Sequence, residues 1–290
     1  MGDRLPATGD RQVTVPEAGP FTIALIQNCA GPEVEANIAE TVAMSREAAD
    51  RGAALICLPE YFSALSSDGP RLTIRGYEEA EHPAIPAFSE LARERRIWAL
   101  LGSLPITAAG GRIHNRSFLI APDGAVVRRY DKIHLFDVDL PGGEQYRESS
   151  TIEPGGEAVI ARLPWGVLGM TICYDLRFPG LYRSLARAGA HFLAVPAAFT
   201  KTSGEAHWHT LIRARAIENG AYVFAPCQCG EHTGGSRTYG HSLVVDPWGR
   251  VLADGGEDPG IVLCGIDPGR VVEARAMIPS LRHDRPYEPP

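Results

Sequence analysis

The chain has 290 residues, 44% hydrophobic and 22% charged, the balance of an ordinary soluble globular protein and not of a disordered or fibrous one. Its 28 basic and 35 acidic residues leave a net charge of −7, with no Lys/Arg cluster that would track phosphates, which argues against a general nucleic-acid surface. No apolar run reaches the length of a membrane span, and residues 1–20, with Arg4, Asp10, Arg11 and three prolines, lack the apolar stretch of a secretory signal.

Residues 1–20 read as a flexible tail ahead of a single domain over 21–290. The run 21–27 is a first buried strand. Apolar positions Ile38, Val42, Ala43 and Ala49, with charges between, predict a helix over 37–51 that stops at Gly52. A second strand, 54–58, closes on Pro59-Glu60, so the chain opens β-α-β, which implies parallel strands. A helix over 85–96 and a strand over 97–102 follow. Residues 117–121 and 125–130 form a hairpin turning on Asp123-Gly124. The segment 132–156, holding Pro141-Gly142-Gly143, reads as a long loop of the kind that carries function.

Strands over 159–163 and 167–172 then lead to Cys173. A helix near 181–188 and a strand over 191–195 follow, copying the earlier layout of helix end, Gly-Ala, strand and proline. This points to two duplicated βαβ halves. A helix over 207–218, strands over 221–226, 242–246, 251–253 and 261–266, and a final helix beyond Asp267 complete the chain. Strands with helices distributed among them indicate one layered α/β domain.

Six cysteines, Cys29, Cys57, Cys173, Cys227, Cys229 and Cys264, are scattered without a CxxC pair. In a chain this long they read as reduced cytoplasmic thiols. Cys227 and Cys229 alternate along an expected strand, but no second Cys/His pair lies near enough in sequence to make a metal site. His207 and His209 diverge on a helix face. Arg237 and His241 read as a hydrogen-bonded core cluster.

Three reactive groups sit just beyond apolar strands: Glu60, Lys132 and Cys173. Strand ends of a largely parallel sheet share a rim, where such groups can converge. A thiol with an ordinary pKa of about 8.5 is mostly unionised at neutral pH and needs a base. A carboxylate can take its proton and return it to a leaving amine. A lysine ammonium, with the backbone N–H of Tyr174, can hold a tetrahedral oxyanion. Glu144 and Glu148 are both candidates for a second carboxylate. Arg177 can grip a substrate carboxylate. Tyr61, Phe199 and Ser203 are further candidate substrate contacts.

These segments resemble the nitrilase superfamily of carbon–nitrogen hydrolases. Leu58-Pro59-Glu60-Tyr61-Phe62 looks like its glutamate segment, Tyr130-Asp131-Lys132-Ile133-His134 like its lysine segment, and Thr171-Ile172-Cys173-Tyr174-Asp175-Leu176-Arg177-Phe178-Pro179 like its cysteine elbow. The likeness runs from about Phe21 to Tyr287. It implies a Glu60-Lys132-Cys173 triad, with Glu148 as second glutamate, on an α/β fold built as a four-layer α-β-β-α sandwich. It also implies pairing into a homodimer or larger assembly.

Ala206-His207-Trp208, Arg213-Ala214-Arg215-Ala216-Ile217-Glu218-Asn219 and Tyr239-Gly240-His241-Ser242 resemble the Nit amidase branch, and more the deaminated-glutathione amidases than the omega-amidases. Tyr174-Asp175 after the cysteine, where nitrilases carry tryptophan and glutamate, favours amides over nitriles. The expected activity is hydrolysis of a small carboxylated amide through a cysteine thioester, with no metal or organic cofactor and no nucleic-acid or membrane partner. The alternatives are an N-carbamoyl hydrolase, a nitrilase, or a catalytically silent ligand-binding protein on the same fold. Ser203-Gly204-Glu205, where relatives often carry Thr-Gly-Pro, departs from the pattern in a loop expected to border the substrate entrance.

Overall fold

The computed structural model describes residues 19–288 apart from Pro70 and Gly142; the tail expected over 1–20 lies outside the described residues up to position 18. Strand β1 (Phe21–Gln27) sends its side chains to two destinations. Ile23 and Leu25 enter one buried apolar cluster, Ala24 and Ile26 another. A strand buried on both faces lies between two layers, and this alternation fixes the architecture.

The chain continues through α1 (Val34–Asp50), β2 (Leu55–Cys57), α2 (Ala84–Arg95), β3 (Trp98–Thr107), β4 (Ile113–Ile120) and β5 (Val126–Asp131). Its later part runs through β6 (Val159–Leu163), β7 (Gly166–Met170), α3 (Pro179–Arg187), β8 (Phe192–Ala194), α4 (Lys201–Asn219), β9 (Tyr222–Ala225), β10 (Leu243–Val245), β11 (Val251–Asp254), β12 (Gly260–Ile266) and α5 (Gly269–Met277). Two six-stranded sheets result, ordered β12-β1-β2-β3-β4-β5 and β6-β7-β8-β9-β10-β11. Ile38, Phe88 and Leu91 of α1 and α2 pack on Ala24, Ile56 and Phe118 of the first sheet. Leu25, Cys57, Leu100 and Tyr130 of that sheet join Leu168, Met170 and Phe192 of the second in the other cluster, which also takes in Leu185, Trp208 and Ile212 of α3 and α4. Gly169 of β7 lets α3 pack closely: a side chain there would meet Leu185 at 3.1 Å. The layers are α-β-β-α.

The two sheets repeat one topology. In each, three parallel strands (β1, β2, β3; β7, β8, β9) are flanked by antiparallel neighbours, with a hairpin partner pair on one side (β4, β5; β10, β11) and one strand on the other. The duplicated halves expected from sequence are therefore present. The flanking strand is local in the second sheet (β6) but comes from the far end of the chain in the first (β12), so the C-terminal part closes the N-terminal sheet.

Two boundaries differ in ways that matter for the site. Strand β3 runs on to Thr107, five residues past the expected stop at Gly102. Its register against β4 shifts between Leu101 and Leu104, so Gly102 marks a bulge and not an end. A side chain at Gly102 would come within 2.1 Å of the Leu58 and Pro59 carbonyls. Beside it, the Ser103 hydroxyl accepts the Tyr61 N–H at 3.1 Å. The bulge is thus the seat of the turn that presents Glu60. Gly102→Ala is expected to destabilise the protein by about 1–3 kcal/mol through overpacking and to lower activity by displacing that turn. Urea denaturation and a turnover assay on the same preparation check both.

Helix α4 begins at Lys201, six residues before the expected start. Thr200 caps it, its hydroxyl accepting from the Ser203 N–H. Ser203-Gly204-Glu205 is therefore the first turn of a helix and not a loop. Gly204 is required there because the Tyr239 ring lies where a side chain would stand, with a Cβ only 2.4 Å from it.

Candidate active site

Cys173 stands at the end of the β7 segment with φ +46, left-handed backbone that a non-glycine residue adopts only when its surroundings hold it. Several contacts do so. The Cys173 N–H donates to the Pro196 carbonyl at 2.9 Å. Asp175 accepts from the Ile172 N–H at 2.9 Å and from the Tyr130 hydroxyl at 2.6 Å. Asp175 also accepts from the His134 N–H at 3.0 Å and lies 2.7 Å from His134 Nδ1. Arg215 of α4 donates to the Leu176 carbonyl at 2.9 and 2.6 Å. Because Tyr130 and His134 flank Lys132, the buried Asp175 ties the cysteine elbow to the lysine segment.

Lys132 is only 2% exposed. Its Nζ donates to Glu60 Oε1 at 2.9 Å and to both Glu148 oxygens at 2.9 and 2.8 Å. Asn115 of β4 donates to Glu60 at 2.8 Å and to Glu148 at 3.3 Å. The Ala198 N–H donates to Glu60 Oε2 and the Phe136 N–H to Glu148 Oε2, at 2.9 and 2.6 Å. Cys173 lines the same cavity as Glu60, Lys132 and Glu148, and the charges of Glu60 and Lys132 both act on its thiol. Glu60, Lys132 and Glu148 thus form one buried, hydrogen-bonded cluster, with each charge paired as burial requires and Cys173 beside it.

The electrostatics follow from burial. Burial raises the Cys173 thiol well above its ordinary pKa and Glu60 adds to this, with Lys132 opposing; the resting sulfur is a neutral thiol next to a carboxylate. Burial pulls the Lys132 ammonium down, but Glu148 and Glu60 outweigh it and hold it charged. Burial raises Glu148 above the usual carboxylate range, Lys132 opposes this and Glu60 adds to it. Tyr61, at φ +53, is buried with its hydroxyl lacking a partner among the described residues. Burial, then Glu148 and Glu60, raise that phenol well above its ordinary value, so it is a free donor beside the cluster.

These groups open on a cavity with about 750 Å³ of space not filled by protein atoms, the open mouth included. Tyr61, Tyr174, Phe199 and Ser203 line it with the cluster, while Arg177 is not among its lining residues. The Arg177 guanidinium stands over the Tyr174 and Phe199 rings and 3.3 Å from His207 Nδ1. Glu144 is exposed and accepts from Thr202 at 2.6 Å. The reason Glu148 and not Glu144 reaches Lys132 lies in the expected long loop. It is a short hairpin, Asp137–Asp139 against Gln145–Arg147, followed by a 3-10 turn. The hairpin returns residue 148 to residue 136, where backbone and side chain of Glu148 both bond Phe136.

Two expectations fail. Cys227 and Cys229 do not share a strand: β9 ends at Ala225, and Cys229 opens a separate hairpin, Cys229–Glu231 with Arg237–Tyr239. Arg237 is not in the core but exposed on that hairpin, lining the cavity. His241 is instead 2.9 Å from Asp254, which also pairs with His209 at 3.0 Å. Sequence reasoning gives no role to Asn115 or to the Asp175 carboxylate. Asn115 alternates inward along β4 and is findable by period; Asp175 lies in a recognisable motif, but its partners Tyr130 and His134 are distant in sequence.

The sequence matches the carbon–nitrogen hydrolase family over residues 22–276. It is 41% identical over 273 residues to a deaminated glutathione amidase of Synechocystis, covering 91% of this chain and 98% of that one. The fold superposes on the NitFhit protein of C. elegans with a TM-score of 0.82 at 35% identity, covering 92% of this chain and 65% of that longer one. It also superposes, at TM-score 0.75 and 26% identity, on a mutant amidase of Nesterenkonia sp. AN1 that holds the acetamide moiety of fluoroacetamide covalently at its active-site cysteine; 90% of this chain and 95% of that one are covered. The chain belongs to the carbon–nitrogen hydrolases of the nitrilase superfamily. It is a hydrolase acting on amides.

Proposed function

We propose that this amidase acts on deaminated glutathione or a close ω-amide of a 2-oxo acid, through a thioester on Cys173. The observation that carries this reading is the convergence of Glu60, Lys132, Glu148 and Cys173 on one cavity floor; the relatives' activity points to the substrate. Glu60 accepts the thiol proton as sulfur bonds to the amide carbon. Lys132 Nζ and the Tyr174 N–H hold the oxyanion. Glu60 then gives its proton to the departing nitrogen, and the C–N bond breaks. Water, deprotonated by Glu60, attacks the thioester, and the acid leaves as the thiol re-forms. Glu148 keeps Lys132 charged and in place throughout.

Deaminated glutathione joins 2-oxoglutarate to cysteinylglycine through the bond to be cut. Product analysis is expected to yield those two compounds, with kcat/KM at least about tenfold above that for 2-oxoglutaramate. Equal or faster turnover of a nitrile or an N-carbamoyl amine would overturn the substrate assignment.

Six unpaired thiols support a reducing, cytoplasmic setting; among the described residues no helix is long and apolar enough to cross a membrane. The exposed apolar side chains Ile217, Trp248, Met277 and Ile278 support assembly into a homodimer or larger homo-oligomer.

A further inference from the structure

The cavity's charges divide into two groups. On the floor, Glu60 and Glu148 are both bound by Lys132. At the mouth, Arg71 and Arg237 line the same cavity, and neither makes an ion pair or side-chain hydrogen bond among the described residues. Glu257, whose carboxylate feels the charge of Arg237, is itself bound by Lys201 at 3.0 Å. The walls between are mostly apolar and aromatic, with Leu65, Leu72, Phe136 and Tyr174 among them.

The two arginines are far apart in sequence but sit on hairpins docked to one another. Arg71 belongs to Ser67–Asp68 paired with Arg71–Leu72; Arg237 belongs to the Cys229–Glu231 and Arg237–Tyr239 pair. The Ser67 N–H donates to the Thr233 carbonyl at 3.1 Å, and Ser66 bridges Thr233. Gly234, at φ +96, lies so close that a side chain would meet the Ser67 carbonyl at 1.9 Å. The second hairpin is also fixed to the start of α4 by the bridge between Thr200 and Thr238. Two unpaired guanidinium groups are therefore presented by one braced wall, in a protein of net charge −7. A guanidinium matches a carboxylate by two parallel N–H donors.

We propose that Arg71 and Arg237 form a carboxylate-binding subsite at the cavity mouth, which selects amides carrying a carboxylate remote from the scissile bond. This rests on the reading that the amide is cut at Cys173. It moves the anchor from Arg177, which lies against aromatic rings outside the cavity lining, to two residues of the mouth.

The test compares three substrates: pentanamide, which is neutral; glutaramate, with its carboxylate on the acyl side; and N-butanoylglycine, with its carboxylate on the amine side. In Arg71→Gln and Arg237→Gln proteins, the kcat/KM preference for a carboxylated substrate over pentanamide is expected to fall at least tenfold, through KM. Arg→Lys versions are expected to keep part of it. Whichever carboxylated substrate loses more identifies the side of the scissile bond that faces the hairpins. A preference that changes less than twofold for both carboxylated substrates, or an equal fall for charged and neutral amides, overturns the subsite. Calorimetry of glutarate and N-butanoylglycine binding to Cys173→Ala protein reads the subsite without turnover. At least tenfold weaker binding on adding either Arg→Gln change supports it even if amidase activity at Cys173 fails its own test. Binding indifferent to both arginines sinks the subsite and leaves the amidase reading intact.

Discussion

Cys173→Ala is expected to lower kcat/KM for the amide substrate by about 10⁴-fold or more while leaving the fold standing. The magnitude is that of removing a nucleophile whose partners act as a unit, so that nothing remaining can form the thioester. The fold should survive because the change deletes one sulfur at the edge of a cavity. The elbow's strained backbone is held by bonds that do not involve the side chain: Cys173 N–H to Pro196, Asp175 to Ile172 N–H, and Arg215 to Leu176. A thermal midpoint within about 4 °C of wild type, about 1 kcal/mol at most, together with lost product formation, is the expected pair of results. Retained turnover would remove Cys173 from the mechanism. Intact-mass measurement after brief exposure to iodoacetamide supplies a second readout. Wild type should gain one more carbamidomethyl group than Cys173→Ala, with iodide leaving, because Cys173 opens on the cavity, while the fully buried Cys57 and Cys227 should not react.

How much of this was legible beforehand follows from the range over which each signal acts. Glu60, Lys132 and Cys173 each end an apolar run, and that local pattern with its flanking motif was enough to place them. Glu148 was readable only through family resemblance, because what brings it to Lys132 is a three-residue-a-side hairpin with no buried residue and no hydrophobic alternation. Asp175 was visible as part of a motif, but its role depends on Tyr130 and His134, 45 and 41 residues away. The start of α4 was missed because Ser203-Gly204 looks like a loop when the Tyr239 ring that demands a glycine is not in view. Arg71 and Arg237 were beyond reach for the same reason in stronger form. Each is an exposed residue on a minimal hairpin, and only the docking of the two hairpins brings both to one cavity. Gly102 shows the converse error: a glycine taken as a strand end is a bulge inside the strand, needed by the Glu60 turn.

Lys132→Met should abolish activity and also produce the largest stability loss of any change in the cluster, about 3–5 kcal/mol. The methionine fills most of the lysine's volume, so packing is nearly conserved. What disappears is the one cation between Glu60 and Glu148, both of them buried. Asn115, Ala198 N–H and Phe136 N–H remain as donors, but neutral donors do not offset two like charges sharing one site. One carboxyl must then hold a proton. Glu148 is the group already raised by burial and by Glu60, and losing the opposing lysine raises it further. A carboxyl raised in the folded state binds more protons folded than unfolded, so stability falls as pH rises. The stabilising contribution is complete below the unfolded value of about 4.3 and is lost as pH climbs through the raised folded value. The destabilisation by Lys132→Met should therefore be largest near pH 8 and shrink towards pH 5, as read from urea midpoints at each pH. Adding Glu148→Gln removes the proton requirement. It should restore at least about 1 kcal/mol at pH 8, the scale of a relieved buried charge, flatten the pH dependence, and restore no activity. A loss equal at both pH values, or unrelieved by Glu148→Gln, would mean that Lys132 holds the site by packing and not by charge. Stability and catalysis should separate in that double variant because the lysine serves them differently: it neutralises Glu148 in the resting fold, whereas in the proposed mechanism it faces the oxyanion only when substrate is present.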